Sequence, residues 1–333
     1  MFHIVSVSIC AMSNHIGKGA SGWVYKVDDQ HCAKVCTITD KPLLGLSDDI
    51  VEISSDSQRG MLLNGKPFSL RPGGEQRKFR DAVNEYHLLQ RAAGVPHVVH
   101  ATHQYFGISG GYLCSVLEME CAPGETVENQ IGRLPLADIG KLVADAGRAI
   151  LGLGERGIVH RDVKPRNLMY HPQPTPGRGT TTVIDFGIAE DIREWQTPTP
   201  AHTGRFQRGT IHYLSPEHGR PQHLTPVSDW FALGLTAYKL LTADYAPVTD
   251  IAFGDTSCTT HQLLFNQLAQ LGRYDNFRRD IIMGEVFSLG YSKDLAEAVG
   301  VSLDADHRRR DIQPLIAVGQ QLAEKSEISL REL

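Results

Sequence analysis

His160-Arg161-Asp162-Val163-Lys164-Pro165-Arg166-Asn167 is the most specific run in this chain. It follows Ile139, Leu142, Val143, Ala146, Ile150 and Leu153, a stripe whose spacing predicts about four turns of amphipathic helix. It leads into a short strand signal over Asn167–Tyr170. The Asp162 carboxylate suits accepting the proton of an attacking hydroxyl. Lys164 suits balancing charge on a transferring phosphoryl group, and the amide oxygen of Asn167 suits a magnesium ion.

Downstream, a Pro/Gly loop over His171–Gly179 separates that strand from a second one at Thr181–Ile184. Asp185-Phe186-Gly187 ends the second strand, 23 residues after Asp162. A carboxylate there suits Mg²⁺, a hard cation that prefers oxygen ligands. Gly209-Thr210 and Ser215-Pro216-Glu217 close the next segment, and Asp229 opens an apolar stretch, Trp230–Leu241, that reads as helix. Alone, Asp229 reads as a carboxylate favoured by a helix N-terminus. Leu263–Leu271 also reads as helical, and Arg308 begins a basic triplet in which one arginine suits pairing with Glu217.

Upstream, the character of the chain changes near Ala122-Pro123-Gly124, and the part before it is strand-rich. Gly17-Lys18-Gly19-Ala20-Ser21-Gly22-Trp23-Val24 is a GxGxxGxV loop, whose missing Cβ atoms let backbone approach phosphate oxygens. A dinucleotide site expects a helix directly after such glycines, but Trp23–Val27 reads as a strand. Lys34 lies in the next strand and needs an anionic partner to reach phosphates in a fixed geometry. Glu75–Ala92 is the first convincing helix, with Phe79, Val83, Tyr86 and Leu89 at helical spacing. Glu85 in its middle is the best partner for Lys34, since Glu75 is too near the helix start. Two strands follow, at Val98–Phe106 and Tyr112–Met119, around a Gly110-Gly111 turn.

Composition is consistent with one large domain or two moderate ones. The 333 residues carry 33 Lys plus Arg and 38 Asp plus Glu, a net charge of −5, which argues weakly against a general nucleic-acid binder. The ordinary hydrophobic and charged fractions exclude a disordered chain, a fibre and a coiled coil. No apolar run approaches the roughly 18–20 residues that span a bilayer. Met1–Met12 is apolar without a basic lead, and reads as a first strand rather than a signal peptide. Cys10, Cys32, Cys36, Cys114, Cys121 and Cys258 form no CxxC pair and read as six reduced thiols in a reducing compartment.

In this order, Gly17/Gly19/Gly22, Lys34, Glu85, His160–Asn167, Asp185–Gly187, Ser215–Glu217, Asp229 and Arg308 resemble the eukaryotic-like (Hanks-type) serine/threonine protein kinase family. The resemblance covers roughly residues 13–325. It implies an α+β, bilobed fold, with a β-rich N-lobe over about 1–120, a hinge at about 120–124 and a helical C-lobe over about 124–333. ATP is implied between the lobes, touched by Ile16, Gly17, Lys18, Gly19, Gly22, Val24 and Lys34. Its adenine edge is expected at the backbone of Glu120–Cys121, with Met119 behind. Mg²⁺ is expected on Asn167 and Asp185, and Asp162 with Lys164 serves a Ser or Thr hydroxyl of a protein substrate. A Cys-Ala-Lys third strand and Ser215 in place of alanine are mild departures from the family pattern.

The larger departure is the distance from Lys34 to Glu85, which makes about 41–74 an insertion. Asn64-Gly65 between apolar runs predicts a hairpin over Met61–Leu70, with Leu62, Leu63 and Phe68 not all exposed. Regulation is expected through Arg161, receiving a phosphate from the segment Asp185–Glu217. Thr203 is the best-placed acceptor and Thr199 the next, while Thr210 is expected to face Asp162 and Lys164 in a structural role. Two other classes remain open: a small-molecule phosphotransferase of kinase-like fold, and a pseudokinase binding module. The first usually lacks Lys164 and the Gly-Thr to Pro-Glu segment; the second usually lacks Lys34, Asp162 or Asp185. With no membrane segment, a cytoplasmic enzyme is expected, and delivery into another cell by a route without a recognisable signal stays open.

Overall fold

The computed structural model describes residues 15–18, 22–43, 49–56, 60–193, 209–215, 225–243, 279–304 and 306–331. The expected strand at Met1–Met12, the helix at Leu263–Leu271, and Gly19, Cys10, Thr197, Thr199, Thr203, Pro216, Glu217 and Cys258 lie outside these residues. The chain divides into two compact units. The first holds the described residues through Ala93, then Val99–Cys121 and Asp185–Gly187. The second holds Gly94–Val98, Ala122–Ile184 and the described residues from Ile188 onward.

The first unit is built on a six-stranded sheet. Its strands are β1 (His15–Lys18), β2 (Trp23–Lys26), β3 (His31–Thr37), β4 (Ile50–Val51), β8 (Ala101–Ser109) and β9 (Tyr112–Glu120), in the order β1-β2-β3-β9-β8-β4. The glycine loop joins two antiparallel strands, with Gly17 opposite Val24 and Lys18 opposite Trp23. Gly22 is confined to glycine because a Cβ there would lie 2.5 Å from the Val35 carbonyl oxygen and 2.7 Å from Cys36 Sγ.

The segment 41–74 contributes β4 to this sheet and forms a second, three-stranded one from β5 (Ile53–Asp56), β6 (Gly60–Leu63) and β7 (Lys66–Pro67). β6 and β7 are the expected hairpin, turning at Asn64 (φ 48°) and Gly65 (φ 75°). Leu63 is buried, Leu62 and Phe68 are half-buried, and Leu63 joins Ile38, Val51, Ala82, Ile108 and Leu113 in one core cluster. This segment thus reaches helix α1 (Gly74–Arg91), whose Phe79 stacks on Phe106 with ring centroids 5.0 Å apart. The face of α1 differs from the expected Phe79/Val83/Tyr86/Leu89 stripe. Ala82, Glu85, Leu88 and Leu89 are buried, and Val83 and Tyr86 only partly so. A charged side chain shares the buried face with apolar ones, which an apolar stripe cannot register.

The six-thiol expectation is corrected here. Cys32 and Cys121 form a disulfide across 89 residues, with Cα atoms 5.2 Å apart, while Cys36 and Cys114 remain thiols. Strand pairing between β3 and β9 brings the two positions together, a proximity that Cys spacing along the chain does not contain.

The second unit is mainly helical: α2 (Leu136–Glu155), α3 (Val227–Thr242), α4 (Arg279–Ser288), α5 (Lys293–Ser302) and α6 (Gln313–Arg331). Leu142, Ala146, Ile150 and Leu153 are buried, as the α2 stripe predicts. Gly140 and Gly319 let α2 and α6 approach, since a Cβ on either would meet the other's carbonyl oxygen at 2.6 Å. Small sheets flank the helices: β10 (Glu125–Thr126) with β12 (Leu168–His171) and β13 (Thr180–Val183), and β11 (Ile158–Val159) with β14 (Glu190–Asp191). Among the described residues no helix is long and apolar enough to cross a membrane.

Candidate active site

In the first unit, alternation along β3 sends Ala33 and Val35 into the core and Lys34 to the other face. Lys34 Nζ lies 2.6 Å from Glu85 Oε1 and 2.7 Å from Asp185 Oδ1. Both Lys34 and Glu85 side chains are 5% exposed. Burial alone pushes the ammonium down, but the charges of Asp185 and Glu85 outweigh it and hold Lys34 above the usual lysine range. Asp185 takes a left-handed backbone, φ 65°, beside the wholly buried Phe186. Such a conformation costs a non-glycine residue about 1–2 kcal/mol and persists only where neighbours enforce it. Val24 pairs with Lys34 across β2 and β3, so the two share a face, and Ile16 is exposed on β1.

The backbone of Glu120–Cys121, where the adenine edge is expected, lies at the end of β9. The Glu120 N–H donates to the His100 carbonyl at 2.9 Å, and the Cys121 N–H to the Gln30 carbonyl at 2.7 Å. Both N–H groups are thus engaged by residues just outside the strands that flank β9.

In the second unit, the loop between β11 and β12 is fixed from below by Asp229 on α3. Its carboxylate accepts the His160 N–H at 2.7 Å and the Arg161 N–H at 2.8 Å. Asp229 is buried, and that burial raises its pKa against these hydrogen bonds. Arg161 is held at φ 69°. His160 donates from Nε2 to the Ile184 carbonyl at 3.0 Å and accepts the Asp162 N–H at Nδ1. Asp162 Oδ2 then receives Lys164 Nζ at 2.6 Å and Asn167 Nδ2 at 2.8 Å. Its Oδ1 receives the Thr210 hydroxyl at 2.7 Å, and Lys164 Nζ lies 2.6 Å from that same hydroxyl oxygen. Asn167 Nδ2 also donates to the Asp162 carbonyl at 2.8 Å, which commits the amide nitrogen and leaves the amide oxygen as a hard donor.

Sequence reading took Asp229 for a helix-end carboxylate and missed its hold on the loop. The usable signal was a carboxylate at the head of a helix whose next eight residues carry no charge. Two further expectations meet different surroundings. The Arg161 side chain is fully buried and lies 3.2 Å from Glu190, so an anion already stands beside it. In the basic triplet Arg308 is exposed, and Arg310 is the buried member, over the Phe231 ring and bonded to the Asp304 carbonyl.

Residues 56–281 match the family described as protein kinase domain. The chain belongs to that family. This kinase domain is 28% identical over 196 residues to MAP kinase-activated protein kinase 2 of Mus musculus, covering 55% of this chain and 48% of that protein. It is 34% identical over 129 residues to serine/threonine-protein kinase PknB of Mycobacterium leprae, covering 38% of this chain and 20% of that protein. It is 35% identical over 127 residues to the probable serine/threonine-protein kinase PknB of Lactococcus lactis, covering 37% and 19%. The chain thus spans about half the length, or less, of these curated relatives. The matched stretch contains Glu85, Asp162, Asn167, Asp185 and Asp229, while Lys34 and the glycine loop precede it.

Proposed function

We propose that this chain is an ATP-dependent serine/threonine protein kinase. The observation that carries the reading is Asp162 Oδ1 accepting a threonine hydroxyl, that of Thr210, with the Lys164 ammonium against the same oxygen. An incoming Ser or Thr hydroxyl needs the same two neighbours: an acceptor for its proton and a cation for the developing charge. Lys34, steadied by Glu85, is the phosphate-holding cation.

Asp185 and Asn167 each carry a hard oxygen of the kind magnesium takes. Among the described residues no group of three or more His, Cys, Asp or Glu forms a metal site of its own. When bound, the ion supplies charge neutralisation on the transferring group. Asp162 takes the proton at Oδ1, and Asn167 holds Asp162 in place through Nδ2.

Protein substrates, a cytoplasmic setting, and autophosphorylation at Thr203 with Thr199 next belong to the same proposal. Glu190 beside Arg161 means that a phosphate would have to compete with a carboxylate already there. Radiolabelled ATP offered with a generic basic protein and with small alcohols tests the function. Label on Ser and Thr of the protein, abolished by Asp162→Asn, is expected. Label on the alcohols instead selects a small-molecule phosphotransferase, and no transfer at all selects a binding module.

A further inference from the structure

Cys32 lies two residues before Lys34 on β3, so both side chains stand on one face of the sheet. The register sets Lys34 opposite Leu117 and Cys32 opposite Met119 on β9, and Cys121 follows Met119 by two, which returns it to that face. The Cys32–Cys121 bridge therefore lies on the face that offers Lys34 to phosphates, about 7 Å along the strand from that lysine. It lies at the end where the base of the nucleotide is expected.

The bridge is not needed to hold the strands. Seven consecutive register pairs, His31 with Glu120 through Thr37 with Cys114, already join β3 to β9. The Cys121 N–H adds a further hydrogen bond to Gln30. Nor is every thiol nearby suited to oxidation: burial pushes the Cys36 thiol up to about 12, which suppresses its thiolate.

We propose that Cys32 and Cys121 are a thiol–disulfide modification site on the nucleotide seat. In the disulfide state the bridge fills the place of the base; in the dithiol state the seat is open. The inference rests on the kinase reading given above. A low-molecular-weight disulfide such as oxidised glutathione is the oxidant. One cysteine thiolate attacks a sulfur of that disulfide and expels one small thiolate. The second cysteine thiolate attacks the protein sulfur of the mixed disulfide and expels the other. The protein loses two protons and two electrons, and the small disulfide becomes two thiols. Dithiothreitol reverses the sequence.

The test uses the whole chain, oxidised with glutathione disulfide or reduced with dithiothreitol, and a fluorescent ATP analogue as probe. Non-reducing peptide mass spectrometry identifies the Cys32–Cys121 link. The reduced form is expected to bind the probe at least about tenfold more tightly, the affinity returning when the oxidised sample is reduced. Cys32→Ala and Cys121→Ser are each expected to bind alike in both conditions. Equal affinity of linked and reduced wild type overturns the proposal, as does the absence of the linked peptide under oxidation. A redox response that persists in both variants also overturns it, because the remaining cysteines would then carry the effect. Failure of the probe to bind either form, while the linked peptide is present, overturns the kinase reading and the inference with it. The wild-type comparison decides the matter even if a variant fails to fold.

Discussion

In the first unit Lys34 meets carboxylates 51 and 151 residues away, whereas in the second Asp162 is held by Lys164 and Asn167, two and five residues along its own loop. The first cluster is a buried ion group assembled by a strand, a helix and a tight turn. The second is a local hydrogen-bonded loop, secured at its start by one distant carboxylate, Asp229. A buried ion group is coupled to the packing around it, because removing one charge strands the others in a poor solvent. A loop bonded mostly to itself can lose a functional atom while the surrounding core stays packed. Chemistry and stability should therefore separate in the second cluster and move together in the first.

The largest effect should follow Asp162→Asn. Phosphoryl transfer to a protein substrate should fall by about 10²–10⁴-fold, since the hydroxyl loses its proton acceptor. The denaturation midpoint and ATP-analogue affinity should stay near wild type, and a large loss of stability would break the contrast. Lys34→Met should also lose transfer, and should lower stability in denaturant titration by about 3–5 kcal/mol, because it leaves the Glu85 carboxylate buried without its ammonium. A wild-type midpoint in that variant would show that the cluster is not coupled to the fold.

Leu63→Ala sharpens the comparison from the insertion side. Leu63 shares a core cluster with Ala82 of α1, the helix that carries Glu85. Stability should fall by about 2–5 kcal/mol, and the lysine–glutamate pair should loosen with it, read as weaker nucleotide affinity. Asp229→Asn should cost about 1–3 kcal/mol, because one of two backbone N–H groups loses its acceptor. Its kcat should fall more than its KM rises.

The smallest effect is a pair of opposite pH slopes. Asp229 has a raised pKa, so the fold retains a proton the unfolded chain releases, and its contribution declines as pH rises from the usual aspartate range through the raised value. Glu75 on α1 accepts the Asp40 and Arg71 N–H groups, each at 2.8 Å, and these hold its pKa below the usual glutamate range. Its contribution is present above that range and lost as pH falls through the lowered value. Thermal midpoints of wild type, Asp229→Asn and Glu75→Gln across acid pH should show the two slopes removed separately. An unchanged acid slope in Glu75→Gln would place the titrating group elsewhere.

What the sequence determined by itself is what lies in short runs. The order of strands and helices follows from apolar period and glycine turns, down to the Asn64-Gly65 hairpin of the insertion. The Asp162 loop is legible because its members sit within a few positions of one another, where residue type and spacing nearly specify the contacts. Tertiary structure decided whatever depended on register and on rotation about a helix axis. The buried face of α1 takes in Glu85, which reaches Lys34, beside the apolar Ala82, Leu88 and Leu89. The Cys32–Cys121 bridge and the spent amides of Glu120 and Cys121 both follow from how β9 lies against its neighbours. Asp229 became a loop anchor because its helix is buried on all sides. Each of these is a meeting of groups that lie apart in the chain. Its free energy depends on the exclusion of water at one point in space, a quantity that residue spacing does not encode.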